Sequence, residues 1–144
     1  MKLNPDCMRE ILLYLEEELS IDLSEKKFKT ISLLELKNKF KSDYTEEDIW
    51  YSVYNLQEVQ FIEGKIQDIG KHKMAICDIG NITWNGHQFL NDIRPKTIWN
   101  ATKDGAQKIG NMSIRTLSFI ASEITKKIIT SPEIITSIIE KMGQ

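Results

Sequence analysis

Only two cysteines, Cys7 and Cys77, occur in the 144 residues. That is too few for a disulfide framework, and their spacing matches no zinc site. Both are expected as free thiols that behave as small hydrophobes, one on the first helix and one on a strand, in keeping with a reducing cytoplasm. Histidine is equally scarce. His72 and His87 are the whole supply, and neither is paired with a second histidine or a cysteine at a spacing that holds a metal. No phosphate-cradling glycine loop and no nucleophile elbow occurs. No apolar run approaches the roughly 18 residues that span a bilayer, and the opening MKLNPDCMRE has no apolar stretch behind its lysine, so neither a membrane span nor a signal peptide is expected. Excess positive charge is missing too, since the net charge is −2. A chain without an overall positive field must bind nucleic acid, if at all, through a local patch. Together these absences predict a cytoplasmic protein with no catalytic residues, no cofactor and no metal.

What is present reads as a folded domain. With 41% hydrophobic and 28% charged residues, the chain has enough branched apolar side chains to build a core and no lopsided charge that would favour disorder. Asn4 followed by Pro5 is a strong helix opening. Met8, Ile11, Leu12, Leu15 and Leu19 then recur at helical spacing, predicting a helix over about Pro5–Leu19, with Glu16, Glu17 and Glu18 on a solvated face. Residues 20–30 read as a polar, lysine-rich connection. Ser32 caps a short helix carrying Leu33, Leu36, Lys37 and Phe40. Thr45, with Asp48 three residues on, resembles a capping box for a helix that turns Ile49, Val53, Leu56 and Trp50 toward the core. Two helices joined by a short turn form a helix-turn-helix candidate.

Beyond Gln60 the runs Phe61–Ile66 and Met74–Ile79 read as two strands, joined by a Gly70-Lys71-His72-Lys73 tip suited to a hairpin turn. Thr83 caps a further helix with His87, Phe89, Leu90 and Ile93, which Pro95 ends, and Trp99 packs another short helix. Past Gly105 and Gly110, Ser113 opens a helix with Ile114, Leu117, Ile120, Ala121, Ile124 and Ile128 on one stripe. Pro132 starts a last segment with Ile134, Ile135, Ile138, Ile139 and Met142. The expected fold class is mainly α with a small β-hairpin, a winged helix-turn-helix followed by C-terminal helices. The expected division is a winged-helix domain over 1–104 and a helical extension over 105–144 that packs on the domain or serves self-association.

Two functions fit this outline. In a DNA-binding regulator the second motif helix enters the major groove, with Asn55 and Gln57 near base edges. Lys37, Lys39 and Lys41, together with Lys65, Lys71, His72 and Lys73 on the wing, would grip phosphates. The difficulty is that the helix itself carries Glu46, Glu47, Asp48 and Glu58 and no lysine or arginine. Acidic residues in a first helical turn have a structural explanation in the helix dipole, but they oppose a phosphate backbone. The alternative is a protein-binding module that uses Glu46 and Glu47 with the isoleucine-rich tail, Ile124, Ile128, Ile135 and Ile138. Double-stranded DNA, a second copy of the chain, and a host or phage protein are the corresponding partners. His87 is expected as a half-buried hydrogen-bonding residue, and His72 as too exposed for tuned proton transfer.

The block Ile82-Thr83-Trp84-Asn85-Gly86-His87-Gln88-Phe89-Leu90-Asn91-Asp92-Ile93-Arg94, followed by Trp99, resembles the most recognisable segment of domain of unknown function 2513. The first helix with its acidic end, Met1–Glu17, and the stretch Gly110–Ile120 are similar to other portions of that family. The resemblance implies a small winged-helix accessory protein of phages and prophages, and it carries no active site. The chain departs from the family pattern at Ser52, where histidine is expected, and at Gln60, where glycine often leads into the wing.

Overall fold

The Asn4-Pro5 opening works as a cap. The Asn4 side chain accepts a hydrogen bond from the Cys7 amide at 3.2 Å, and Pro5 leads helix α1, Pro5–Glu18. The computed structural model describes residues 1–64, 66–68, 74–76 and 78–143, with side chains described at all of these except 66–68, 74–76, 135 and 142. Within α1 the stripe Met8, Ile11, Leu12 and Leu15, together with Cys7, is fully buried.

Residues 20–30 correct the sequence expectation of an irregular connection. They form strands β1 (Ser20–Asp22) and β2 (Lys27–Lys29), paired antiparallel with Ile21 opposite Phe28. The turn is built on Asp22, whose Oδ1 accepts from the Ser24 and Glu25 amides and from the Ser24 hydroxyl, while Lys26 takes a left-handed φ of 52°. Both strands are almost entirely exposed, so no apolar alternation marks them in the sequence.

Buried Ile31 follows and makes an isolated antiparallel bridge to Ile79, with amide-to-carbonyl distances of 2.9 and 2.8 Å. Ser32 caps helix α2 (Leu33–Phe40) by accepting from the Glu35 amide. Thr45 caps helix α3 (Glu46–Glu58) by accepting from the Asp48 amide at 3.1 Å. The Asp48 carboxylate accepts from the Asn4 side-chain amide at 3.2 Å, so the cap of α1 is tied to the first turn of α3. Ile49, Val53 and Leu56 of α3 are buried as expected. Trp50 is not in that core and lies half-exposed, because one residue step turns it about 100° away from Ile49.

The end of α3 is a Schellman motif: the Phe61 amide donates to the Leu56 carbonyl and the Gln60 amide to the Gln57 carbonyl. Gln60 occupies the left-handed position with φ 62°. A side chain there costs about 1 kcal/mol relative to glycine. Strands β3 (Ile62–Glu63), β4 (Ile66–Asp68), β5 (Met74–Ile76) and β6 (Asn81–Ile82) then form two antiparallel pairs, β3 with β6 and β4 with β5. Ile62 faces Ile82, and Ile66 faces Ile76, so the returning side carries two more residues than the outgoing side. Around this irregularity the Gly80 amide bonds to the Glu63 carbonyl, while Ile79 bonds Ile31. The expected strand ends shift accordingly, with pairing reaching Asp68 and Ile82. Lys65, the tip residues Gly70, Lys71, His72 and Lys73, and Cys77 lie outside the described residues.

Thr83 caps helix α4 (Trp84–Ile93), its hydroxyl accepting from the Gly86 amide at 3.1 Å. The chain is thus mainly α with small antiparallel strand pairs, and it divides into two compact units, Met1–Leu90 and Asn91–Gln144, with α4 running across the division. In the first unit α1 and α2 both pack on α3, with Ile31, Ile62, Ile79, Ile82, Phe89 and Leu90 completing the core.

In the second unit α5 (Lys96–Ile109) is longer than the short helix expected around Trp99, and it passes through Gly105. It ends at Gly110, which takes φ 80°. Helix α6 (Ile114–Ile129) packs on it, with Trp99, Thr102 and Ala106 against Ile114, Leu117 and Ala121 as the buried faces. A Cβ at Gly105 would meet Ile120 Cγ2 at 3.4 Å, an ordinary van der Waals distance. The buried Thr102 hydroxyl is satisfied by the Ile98 carbonyl at 2.7 Å. Helix α7 (Pro132–Met142) follows, capped by Ser131. No helix among the described residues is long and apolar enough to cross a membrane.

Candidate functional site

The arithmetic of α3 decides what its outer face presents. With Ile49, Ser52, Val53 and Leu56 inward, the 3.6-residue repeat puts Glu47, Tyr51, Tyr54 and Glu58 on the opposite arc and Glu46, Trp50 and Gln57 on one flank. Trp50, Tyr51, Tyr54 and Glu47 line a recess of about 370 Å³, with Met1 as a further wall. The Tyr51 and Tyr54 rings stack with centroids 6.3 Å apart and an interplanar angle of 7°. A hydrogen bond to Glu58 raises the Tyr54 phenol pKa above its ordinary value. Glu46 receives Lys37 Nζ at 2.8 Å. That hydrogen bond and charge, with a smaller contribution from the Trp50 side chain, hold its carboxyl below the usual range.

The described members of the sequence-predicted DNA-contacting set sit in different surroundings. Lys37 is engaged by Glu46, Lys39 lies over the Tyr14 ring at 5.9 Å from its centroid, and Lys41 is exposed just after α2. Asn55 donates its side-chain amide to the Tyr51 carbonyl at 2.7 Å, which commits that group to its own helix. Gln57 is about 200° round the helix from Asn55 and faces a different feature. Lys65, Lys71, His72 and Lys73 fall outside the described residues. Of the residues in the alternative, Glu46 and Glu47 are exposed on α3. In the second unit Ile124 is half-buried, and Ile128 and Ile138 are exposed. Ile135 lies on α7, its side chain outside the description.

Gln57 opens onto a groove of about 1020 Å³ where the end of α3, the strands and the start of α4 meet. Its walls carry Gln57, Gln60, Glu63, Asp78, Trp84 and Asn85, with Gly64 and Gly80 between them. Trp84 is 76% exposed at its edge. Asp78 is oriented by the Thr30 hydroxyl, which donates to its Oδ2 at 3.1 Å.

The corner that carries Trp84 is built with little freedom. Thr83 donates its amide to the Phe61 carbonyl at 3.0 Å and its hydroxyl to the Gln60 carbonyl at 2.6 Å. Gly86 then passes so close that a Cβ there would sit 2.0 Å from the Phe61 oxygen and 2.8 Å from Ile82 Cγ2. The Phe61 and Phe89 rings pack 5.3 Å apart behind it. Thr83 and Gly86 therefore fix the start of α4, and Trp84 and Asn85 between them point outward. Sequence reading assigned Trp84 no role and placed Trp50 toward the core. The signal available for Trp84 was its position one residue after a capping threonine, off the stripe formed by Phe89, Leu90 and Ile93.

Cys7 is fully buried, and burial pushes its thiol up to about 11; the nearby Ser52 hydroxyl opposes the rise, while the charges of Asp48 and Glu10 add to it. Such a thiol stays protonated at neutral pH and is a poor nucleophile. Ser52 Oγ is itself buried, with the Cys7 thiol as its neighbour. His87 is half-buried in α4. Among the described residues no group of three histidine, cysteine or acidic side chains is placed to hold a metal ion.

No curated protein and no solved structure matches the chain. Residues 2–113, which include both faces of this site, match one family throughout, and the chain belongs to that family, described as hypothetical protein (DUF2513).

Proposed function

We propose that the chain is a non-enzymatic winged helix-turn-helix protein of phage or prophage type, whose α3 presents an acidic, aromatic face to a protein partner. The order of α1, the Ile31 bridge, α2, α3 and the two strand pairs supports the winged-helix reading. The observation that carries the function is the outer arc and flank of α3: Glu46, Glu47, Trp50, Tyr51, Tyr54 and Glu58, with no basic residue in the helix. Aromatic side chains in a partly apolar recess are the usual anchors of a protein interface. Carboxylates around them suit a basic partner surface and repel a phosphate backbone.

The test is capture from host extract on the immobilised full chain, beside the Glu46→Lys, Glu47→Lys double variant. One stoichiometric partner held by the natural protein and lost by the variant is the expected result. DNA recognition is the second reading, favoured by exposed Lys41 at the turn before α3. A mobility shift on mixed-sequence duplex DNA at low salt, weakening steeply as salt rises and reduced by Lys41→Glu, would move the function to DNA.

The second unit is proposed to self-associate. Ile128, Ile129, Ile134, Ile138 and Ile139 are all exposed on consecutive helices, and apolar patches of this kind mark interaction surfaces. Sedimentation equilibrium at high micromolar concentration should show a dimer that the Ile128→Lys, Ile138→Lys variant abolishes. A monomeric natural protein under those conditions removes this reading.

A further inference from the structure

We infer that the groove beside Trp84 is a guanidinium site, which takes an arginine side chain from an extended segment of the partner protein. The source of that arginine rests on the proposed role of α3; the preference for guanidinium follows from the groove itself.

Charge selects first. Glu63 and Asp78 bring two carboxylates to the lining, and no lysine, arginine or histidine among the described residues lines it. These two carboxylates favour a cation over a phosphate or an acidic side chain. Shape selects next. Trp84 offers a largely exposed indole at the edge, 76% accessible, on a backbone held by the Thr83 cap and the tight Gly86 contact. A flat delocalised cation stacks on such a face far better than a compact, strongly hydrated ammonium. Hydrogen-bonding capacity agrees. Guanidinium is a fork of five donors with no acceptor, and the lining supplies carboxylates and the side-chain carbonyls of Gln57, Gln60 and Asn85. Asp78 is already oriented by Thr30. Gln57 belongs to this lining and stands three residues after Tyr54 near the end of α3, so a segment lying along that helix leads toward the groove.

The probe is the blocked tripeptide acetyl-Gly-Arg-Gly-amide, titrated into the isotopically labelled full chain and followed by nuclear magnetic resonance. The Trp84 indole N–H is assigned by its loss in Trp84→Phe. It should shift saturably with the arginine peptide, together with the Gln57 and Asn85 side-chain amides. The lysine counterpart should bind about fivefold more weakly, and Glu63→Gln with Asp78→Asn should weaken the arginine peptide about fivefold or more. Circular dichroism of that double variant should remain that of the natural protein, since both residues are at the surface of the groove. A silent Trp84 resonance, equal binding of the lysine peptide, or full binding by a folded neutral variant would each overturn the site. Silence at Trp84 with partner capture intact overturns this inference alone. A groove that titrates in a protein that captures nothing through Glu46 and Glu47 overturns the α3 reading and leaves the guanidinium preference standing.

Discussion

Replacing Gly86 by alanine is expected to lower the thermal midpoint by about 10 °C, the consequence of losing about 3 kcal/mol of stability. The added Cβ would stand 2.0 Å from the Phe61 carbonyl oxygen and 2.9 Å from its carbon, well inside van der Waals contact. The obstacle is backbone, so no rotamer change relieves it. Moving the Phe61 peptide would strain the Schellman closure of α3, in which the Phe61 amide bonds Leu56, and would break the hydrogen bond that its carbonyl accepts from Thr83. Moving α4 instead would pull Thr83 from the Gln60 carbonyl and displace Phe89 from Phe61. Overpacking of a rigid site costs about 1–3 kcal/mol, and each hydrogen bond lost adds about 1 kcal/mol. Gly80→Ala is the control. Its Cβ would meet Thr30 and Phe28 at 3.9 and 4.0 Å, ordinary distances, and its midpoint should stay within about 2 °C of the natural protein. Thermal unfolding followed by circular dichroism measures both. A Gly86→Ala protein that melts with the control would show that the corner relaxes and that the glycine is not needed for the approach.

That corner shows what a single sequence discloses. The caps were legible because they are local: Asn4, Ser32, Thr45, Thr83 and Ser113 each precede an apolar period, and each accepts the amide it should. The buried stripes of α1 and α3 were legible for the same reason. The β1–β2 hairpin was not, because strands exposed on both faces carry no period-two pattern and its turn uses Asp22 and Lys26 in place of a glycine. The two departures from the family pattern acquire meaning only in three dimensions. Gln60 bears the left-handed conformation where glycine would be easier, and it contributes its side chain to the groove. Ser52 puts a small hydroxyl beside Cys7 inside the core. The groove itself joins residues from Gln57 to Asn85, a set brought together by strand pairing and a helix start that no short window contains.

Trp50→Ala is expected to weaken partner binding about thirtyfold, or about 2 kcal/mol, while leaving the fold cooperative. Two quantities compete in that substitution. Trp50 is half-exposed and outside the core formed by Ile49, Val53 and Leu56, so its truncation should cost about 1 kcal/mol of stability. In a complex it would be covered on its open side as well, and a fully desolvated tryptophan beside Tyr51 and Tyr54 is the kind of anchor whose loss dominates an alanine scan. Charge acts differently from this anchor. Glu47→Lys should mainly slow association and should matter less as salt rises, because rim charges steer encounter across a screened distance. Trp50→Ala should mainly speed dissociation and should be indifferent to salt, because what it removes is buried area. Surface plasmon resonance on the captured partner at two salt concentrations separates the effects. If the Trp50 variant dissociates at the natural rate, the aromatic recess is not the anchor and the acidic rim alone must account for binding. If instead duplex DNA is the partner, phosphate contacts made by lysines set the affinity, so removing an indole from α3 should leave the salt slope unchanged.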